Sequence, residues 1–162
     1  MRMALLIVDV QEAFIGHRRE DTDYKEVMDH INYSAALFET AELPVIVIRD
    51  VEEGDDDAHR NVAELEVTGD GDEVLKTYNN AFWRTDLDER LKAEEVDFVI
   101  ICGNAAEYCV MATYNGAIER GYQAVLLQNG VLAKRQEGLL DLFYNRALIS
   151  CTVLEGIVGF DL

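Results

Sequence analysis

Four nearly unbroken apolar runs constrain the fold more than any other feature of this chain. They are "ALLIVDV" (4–10), "LPVIVIRDV" (43–51), "DFVIICG" (97–103) and "QAVLLQNG" (123–130). A strand that is apolar on both faces must be covered on both, which is how strands behave in parallel sheets lying between two helical layers. The segments between these runs supply the layers. In 23–42, Val27, Ile31, Ala35 and Phe38 recur at helical spacing. The stretch 86–96 reads as a helix with Asp86 as N-cap, 108–122 as a helix closed by Gly121, and 137–149 as a third. "SCTVLEG" (150–156) reads as a last strand, "EVLKTYNNAF" (73–82) as a short extended segment, and 52–72 as loop, with the acidic run "EEGDDD" taken as solvated.

Strands alternating with helices imply βαβ units, and with no repeat or linker in view the expected fold is one three-layer α/β/α domain over 1–162 with a mostly parallel, Rossmann-like sheet. In such folds ligands bind outside the carboxyl ends of the strands. Asp9, Asp50 and the loop "GNAAEYC" fall at such ends, and Lys76 lies in the extended segment nearby.

Charge excludes several function classes. With 32 acidic against 14 basic side chains the formal net charge is −18, so the basic footprint that nucleic acid or an anionic membrane requires is missing. No apolar run approaches the roughly eighteen residues of a membrane span. The N-terminal run meets Asp9, Gln11 and Glu12 without a cleavage site, so a strand is expected there and not a leader, and cytoplasmic residence follows as the default. The three cysteines do not suggest a disulfide framework. Cys102 and Cys151, inside apolar runs, read as inert core residues.

Cys109 is different. It follows a strand and a Gly-containing loop at a helix start, where unpaired N–H groups and the positive helix end favour a thiolate and are able to hold an oxyanion. A phosphatase-like loop would need Arg where Asn115 stands, no second Cys is spaced for a redox pair, and the dinucleotide fingerprint is absent. A thiol nucleophile needs a proton acceptor. His17, His30 and His59 read as loop or helix-surface residues, which leaves Asp9 as the better acceptor; Lys76, in an otherwise apolar segment, reads first as a structural lysine, although Asp9, Lys76 and Cys109 at three converging strand ends would form a coherent set.

The segments "ALLIVDVQEAF", "VLKTYNNAFWRTDLDERL" and "FVIICGNAAEYCVMATYNGAIERGYQAVLLQNG" resemble, in order and spacing over nearly the whole chain, the isochorismatase-like cysteine hydrolase superfamily, which includes nicotinamidases and N-carbamoylsarcosine amidohydrolases. The resemblance implies a catalytic triad at Asp9, Lys76 and Cys109. It also implies a cis peptide at Asn104–Ala105 and an oxyanion hole from the backbone N–H groups of Ala105 and Cys109. Two departures stand out: Ala106 occupies the place where the family usually carries Thr, and Glu52 stands where nicotinamidases carry the first His of a metal site. No metal and no cofactor are therefore expected. Isochorismatases proper act on a vinyl ether and lack the cysteine, so Cys109 puts the chain with the C–N hydrolases.

The implied activity is cleavage of an amide-type C–N bond in a small molecule through a thioester, by a protein that forms a homo-oligomer. Phe14, Phe82, Trp83, Tyr108 and Tyr114 neighbour the triad in sequence and are expected to line the substrate pocket. The rival reading is a catalytically diverged member of the superfamily used for binding or assembly.

Overall fold

The computed structural model describes residues 1–68 and 73–159. In chain order the main elements are β1 (Met3–Val8), α1 (Glu12–Ile15), α2 (Thr22–Thr40), β2 (Val45–Asp50), β3 (Glu73–Lys76), α3 (Leu87–Ala93), β4 (Phe98–Asn104), α4 (Met111–Glu119), β5 (Gln123–Leu132), α5 (Gln136–Asn145), β6 (Leu148–Ile149) and α6 (Cys151–Gly159). The six strands form one sheet in the order β3-β2-β1-β4-β5-β6, with every pairing parallel. No helix among the described residues is long and apolar enough to cross a membrane.

The apolar runs are buried on both faces because their alternate side chains enter two separate cores. On β1, Leu5 and Ile7 pack with α2 and α6, for instance against Ile31, Phe38 and Leu154. Ala4, Leu6 and Val8 turn the other way, to Leu91 of α3, Tyr114 of α4 and Leu142 of α5. A single-residue slip would exchange these sets, so each strand's register is tightly specified.

Four local expectations are corrected. The segment 150–156 is helical, because Ser150 opens α6: its carbonyl accepts from Leu154 N–H at 2.9 Å and its hydroxyl from Val153 N–H at 3.3 Å. Leu154 and Val158, four apart, then fill the α2 side of the core. The last strand is instead Leu148–Ile149, inside the stretch read as helix, and α5 stops at Asn145. Asp86 occupies the N-cap position of α3 without a side-chain cap; its carboxylate takes Arg90 Nε at 2.9 Å, and Thr85 Oγ1 accepts from Leu87 N–H at 3.3 Å in its place. The acidic loop is also more than a solvated run. Arg49, almost fully buried, ties it to the sheet through Asp55 at 2.8 Å and Glu73 at 2.9 Å.

Gly103, near the end of β4, has φ +111°, and a Cβ there would stand 2.1 Å from the Val8 carbonyl oxygen. That oxygen belongs to the neighbouring strand and cannot withdraw without breaking the ladder just before Asp9. Gly103→Ala is expected to cost about 3 kcal/mol or more, read as a lowered urea midpoint. A midpoint within error of the parent protein would contradict this account of the β1–β4 contact.

Candidate active site

The carboxyl edge of the sheet brings four polar residues together from four adjacent strands. β1 ends at Val8, and Asp9 follows in a left-handed conformation (φ 51°) with its N–H on Ile48 O at 2.9 Å. β2 ends at Asp50, which is in register with Lys76, the last residue of β3. β4 leads through the cis peptide Asn104–Ala105 into a single π-helical turn, Ala106–Val110, that carries Cys109. Ala105 O accepts from both Tyr108 N–H (3.0 Å) and Val110 N–H (3.2 Å), and the Cys109 N–H lies between these two.

Lys76 is the hub. Its Nζ lies 2.9 Å from Asp9 Oδ2, 2.9 Å from Asp50 Oδ2 and 3.4 Å from Cys109 Sγ. Lys76 is 1% exposed and Asp9 2%, so these charges interact with little screening from water. The Cys109 thiol also donates to Asn79 Oδ1 at 3.4 Å, and Asp9 Oδ1 is buried without a hydrogen-bond partner. Asp50 is itself held. The buried Gln11 side chain donates to the carbonyls of Asp50 (2.8 Å) and His59 (2.7 Å) and accepts from Asp50 N–H (2.8 Å). Asp50 Oδ1 accepts from Glu52 N–H at 2.9 Å.

The electrostatics follow from burial. Burial raises the Asp9 carboxyl above its usual range, against the pull of Lys76 and of its hydrogen bonds. Burial also works against the Lys76 ammonium, but Asp9, Cys109 and Asp50 around it prevail and hold it above an ordinary lysine. The Cys109 thiol is pushed up to about 12, first by burial and then by the Asp9 charge, with Lys76 opposing. Burial and the Asp9 charge therefore work against the thiolate expected from position alone. Desolvation and the nearby Asp9 charge outweigh the turn's N–H groups, and the nucleophile needs a base at the moment of attack.

That base has a pH signature. If Asp9 takes the thiol proton, reaction at Cys109 fails once Asp9 is protonated. Because its carboxyl is raised above 3.8, that failure begins at higher pH than for an exposed aspartate. Iodoacetamide labelling of Cys109 is expected to show this acid limb, and Asp9→Asn to remove it while lowering the plateau. Labelling that follows an ordinary thiol near pKa 8.5 in both proteins would contradict the assignment.

A cavity of about 190 Å³ opens onto the thiol, with Phe14, Asn104, Ala105, Tyr108 and Lys134 among its walls. At its mouth Lys134 Nζ sits over the Tyr108 ring, 5.0 Å from the centroid. Of the aromatics expected to line the pocket, Phe14 and Tyr108 do so and three do not. Phe82 is buried against Tyr122 with ring centroids 5.8 Å apart. Trp83 is exposed beside Arg84. Tyr114 packs in the core beside α3 and α5, with its hydroxyl accepting from Ala147 N–H at 3.4 Å. Sequence neighbourhood failed for these because Phe82 and Tyr114 turn into the core between the sheet and α3, α4 and α5, while Trp83 turns to solvent. His59 is likewise corrected: it is buried, edge-on to Phe14 at 6.5 Å, with Nδ1 2.7 Å from Asp56. Sequence reasoning missed Asn79, Gln11 and the pairing of Asp50 with Lys76; a charged residue ending β2 was the one available signal, and it pointed to a strand end without naming its partner.

Asp9, Asp50 and Cys109 could in principle form a metal cluster, since their ligand atoms all lie within 4.8 Å of one another. The Lys76 ammonium occupies their shared centre, 2.9 Å from both carboxylates, so the positive charge that a divalent ion would bring is already supplied. These residues do not fit a metal.

Comparisons with known proteins bear on this geometry. The isochorismatase domain model matches residues 3–152. The streptothricin hydrolase of Streptomyces noursei is 34% identical over 129 residues, which make up 76% of this chain and 47% of that protein. The isochorismatase family protein YrdC of Bacillus subtilis is 26% identical over 155 residues, 91% of this chain and 83% of its own length. In structure, N-carbamoylsarcosine amidase from Thermoplasma acidophilum aligns at TM-score 0.83 with 23% identity, covering 93% of this chain and 97% of that one. A nicotinamidase from Staphylococcus aureus aligns at TM-score 0.79 with 21% identity, covering 90% and 93%. At these identities the structural likeness establishes the fold.

Proposed function

This chain belongs to the isochorismatase family, and we propose that within it the chain is a cysteine amidohydrolase that opens the C–N bond of a small amide through a thioester on Cys109. The observation that carries this reading is the position of Lys76 Nζ, in contact with two carboxylates and the sulfur at once. A buried structural lysine needs one partner; this one stays beside the negative charge as proton transfer moves it from the Asp9 carboxylate to the sulfur.

The steps follow from the groups present. Asp9 accepts the thiol proton as Cys109 Sγ bonds to the substrate carbonyl carbon, and the carbonyl π pair moves onto oxygen. The Ala105 and Cys109 N–H groups receive that oxyanion, as donors fixed before the reaction. Lys76 keeps its positive charge throughout and stabilises the thiolate character of the sulfur. When the oxyanion collapses, the C–N bond breaks and the nitrogen takes the proton from Asp9, leaving as ammonia or an amine. Water, deprotonated by Asp9, then attacks the thioester carbon, and the sulfur leaves and recovers its proton. The cavity's size restricts the substrate to a small molecule.

The test is ammonia release from acetamide, benzamide, nicotinamide and N-carbamoylglycine, with Cys109→Ala alongside and with chelator present. Release by the parent protein that the variant loses supports the reading. Release that survives in Cys109→Ala would sink it.

A further inference from the structure

Asn79 lies just past the end of β3 and shares the cavity wall with Asp9 and Cys109. Its Oδ1 accepts the Cys109 S–H at 3.4 Å, while Asp9 Oδ1, also at the cavity, has no partner. Asn79 is anchored from behind. Its carbonyl accepts from the hydroxyl of the fully buried Thr113 at 3.5 Å, and that hydroxyl in turn accepts from Ala81 N–H at 3.1 Å.

We propose that Asn79 Oδ1 is the acceptor for the leaving-group nitrogen, so that Asn79 selects carbonyl substrates carrying an N–H on the leaving atom over oxygen esters of the same shape. The proposal rests on the amidohydrolase reading above and adds a residue to it. Once sulfur is bonded to the carbonyl carbon, the leaving atom on that carbon sits within about 3 Å of the sulfur. The S–H has by then passed to Asp9, and Asn79 Oδ1 has lost its donor. An acceptor within reach of the S–H is within reach of an N–H at that neighbouring position. An amide supplies the replacement donor and an ester does not, which leaves Oδ1 unpaired in a partly desolvated cavity. Such a mismatch is what lets a polar site reject an isostere.

The experiment compares kcat/KM for the fastest amide of the panel above with that for the methyl ester of the same acid, in the parent protein, Asn79→Ala and Asn79→Asp. Asn79 is exposed on its outer side, so both variants are expected to fold. Asn79→Ala is expected to lower kcat/KM for the amide about ten- to a hundredfold more than for the ester, so that the amide-to-ester ratio falls by that factor. Asn79→Asp, which keeps an acceptor of the same shape, is expected to restore the amide-to-ester ratio toward the parent value. If Asn79 only orients the thiol, both substrates slow equally in Asn79→Ala; that outcome overturns the proposal and leaves the amidohydrolase reading standing. A parent protein that cleaves neither amide nor ester overturns both.

Discussion

Cys109→Ala is expected to reduce amide turnover by at least about ten-thousandfold, with the fold intact. Among the described residues Cys109 is the only cysteine in the cavity wall, and no second thiol stands close enough to substitute. Cys102 Sγ is fully buried, with its S–H on Leu6 O at 3.5 Å and its thiol raised by burial, so it is a packing residue. Cys151 packs against the α2 side of the core, 3.6 Å from Ser34 Oγ. Cys102→Ala and Cys151→Ala are therefore expected to lose about 1–2 kcal/mol of stability at most and to keep full activity. Cys109→Ser separates two explanations. A hydroxyl in the same place has a far higher pKa than a thiol, and Asp9 cannot deprotonate it usefully. Activity near the parent level in Cys109→Ser would mean that attack does not depend on the sulfur, and the covalent mechanism would fall. Ammonia release per mole of protein, checked against circular dichroism for folding, reads out all four variants.

The fold was open to sequence reasoning because its signal is repeated. Each of the four apolar runs is a strand covered on both faces, and each carries that pattern independently of the others. The meeting of Asp9, Lys76 and Cys109 was legible for a related reason: Asp9 and Lys76 break apolar runs at strand ends, and a buried ionisable group there needs a partner. The errors share a physical origin. The stretch 150–156 is apolar and short, and periodicity alone cannot tell a strand from a helix at that length. Only Val158, beyond the stretch, completes the helical stripe with Leu154. Phe82 and Tyr114 were placed in the pocket by nearness in sequence, yet their side chains leave the carboxyl edge and enter the core between the sheet and α3, α4 and α5. The Cys109 environment was misjudged in sign. A helix start favours a thiolate, but the depth of burial and the facing Asp9 carboxylate are products of the tertiary fold, and they dominate. Asn79 and Gln11 act through side-chain amides, which leave no periodic or charge signal in a sequence.

Asp9→Asn and Lys76→Ala are each expected to lower kcat by several orders of magnitude, and the double variant to be little worse than either single one, because members of one catalytic unit fail together. The two differ in stability, and that difference tests the hub role of Lys76. Asp9→Asn keeps the shape and leaves Lys76 paired with Asp50 at 2.9 Å, so its stability is expected to stay within about 1–2 kcal/mol of the parent. Lys76→Ala removes the one cation between two buried carboxylates, Asp9 and Asp50, and a loss of about 3–5 kcal/mol is expected at neutral pH. The loss should depend on pH with a definite sign. Asp9 is already raised above 3.8 with Lys76 present, and removing the ammonium raises it further. A carboxyl raised on folding contributes stability that is fully present below its unfolded pKa and is lost as pH rises through its folded pKa. Lys76→Ala is thus expected to approach the parent's stability in mild acid and to fall away from it as pH rises toward neutrality. Urea midpoints at a series of pH values measure this directly. A deficit that is the same at every pH would mean that Lys76 contributes packing alone, and the charge-balancing role assigned to it would be wrong even if its removal abolished activity.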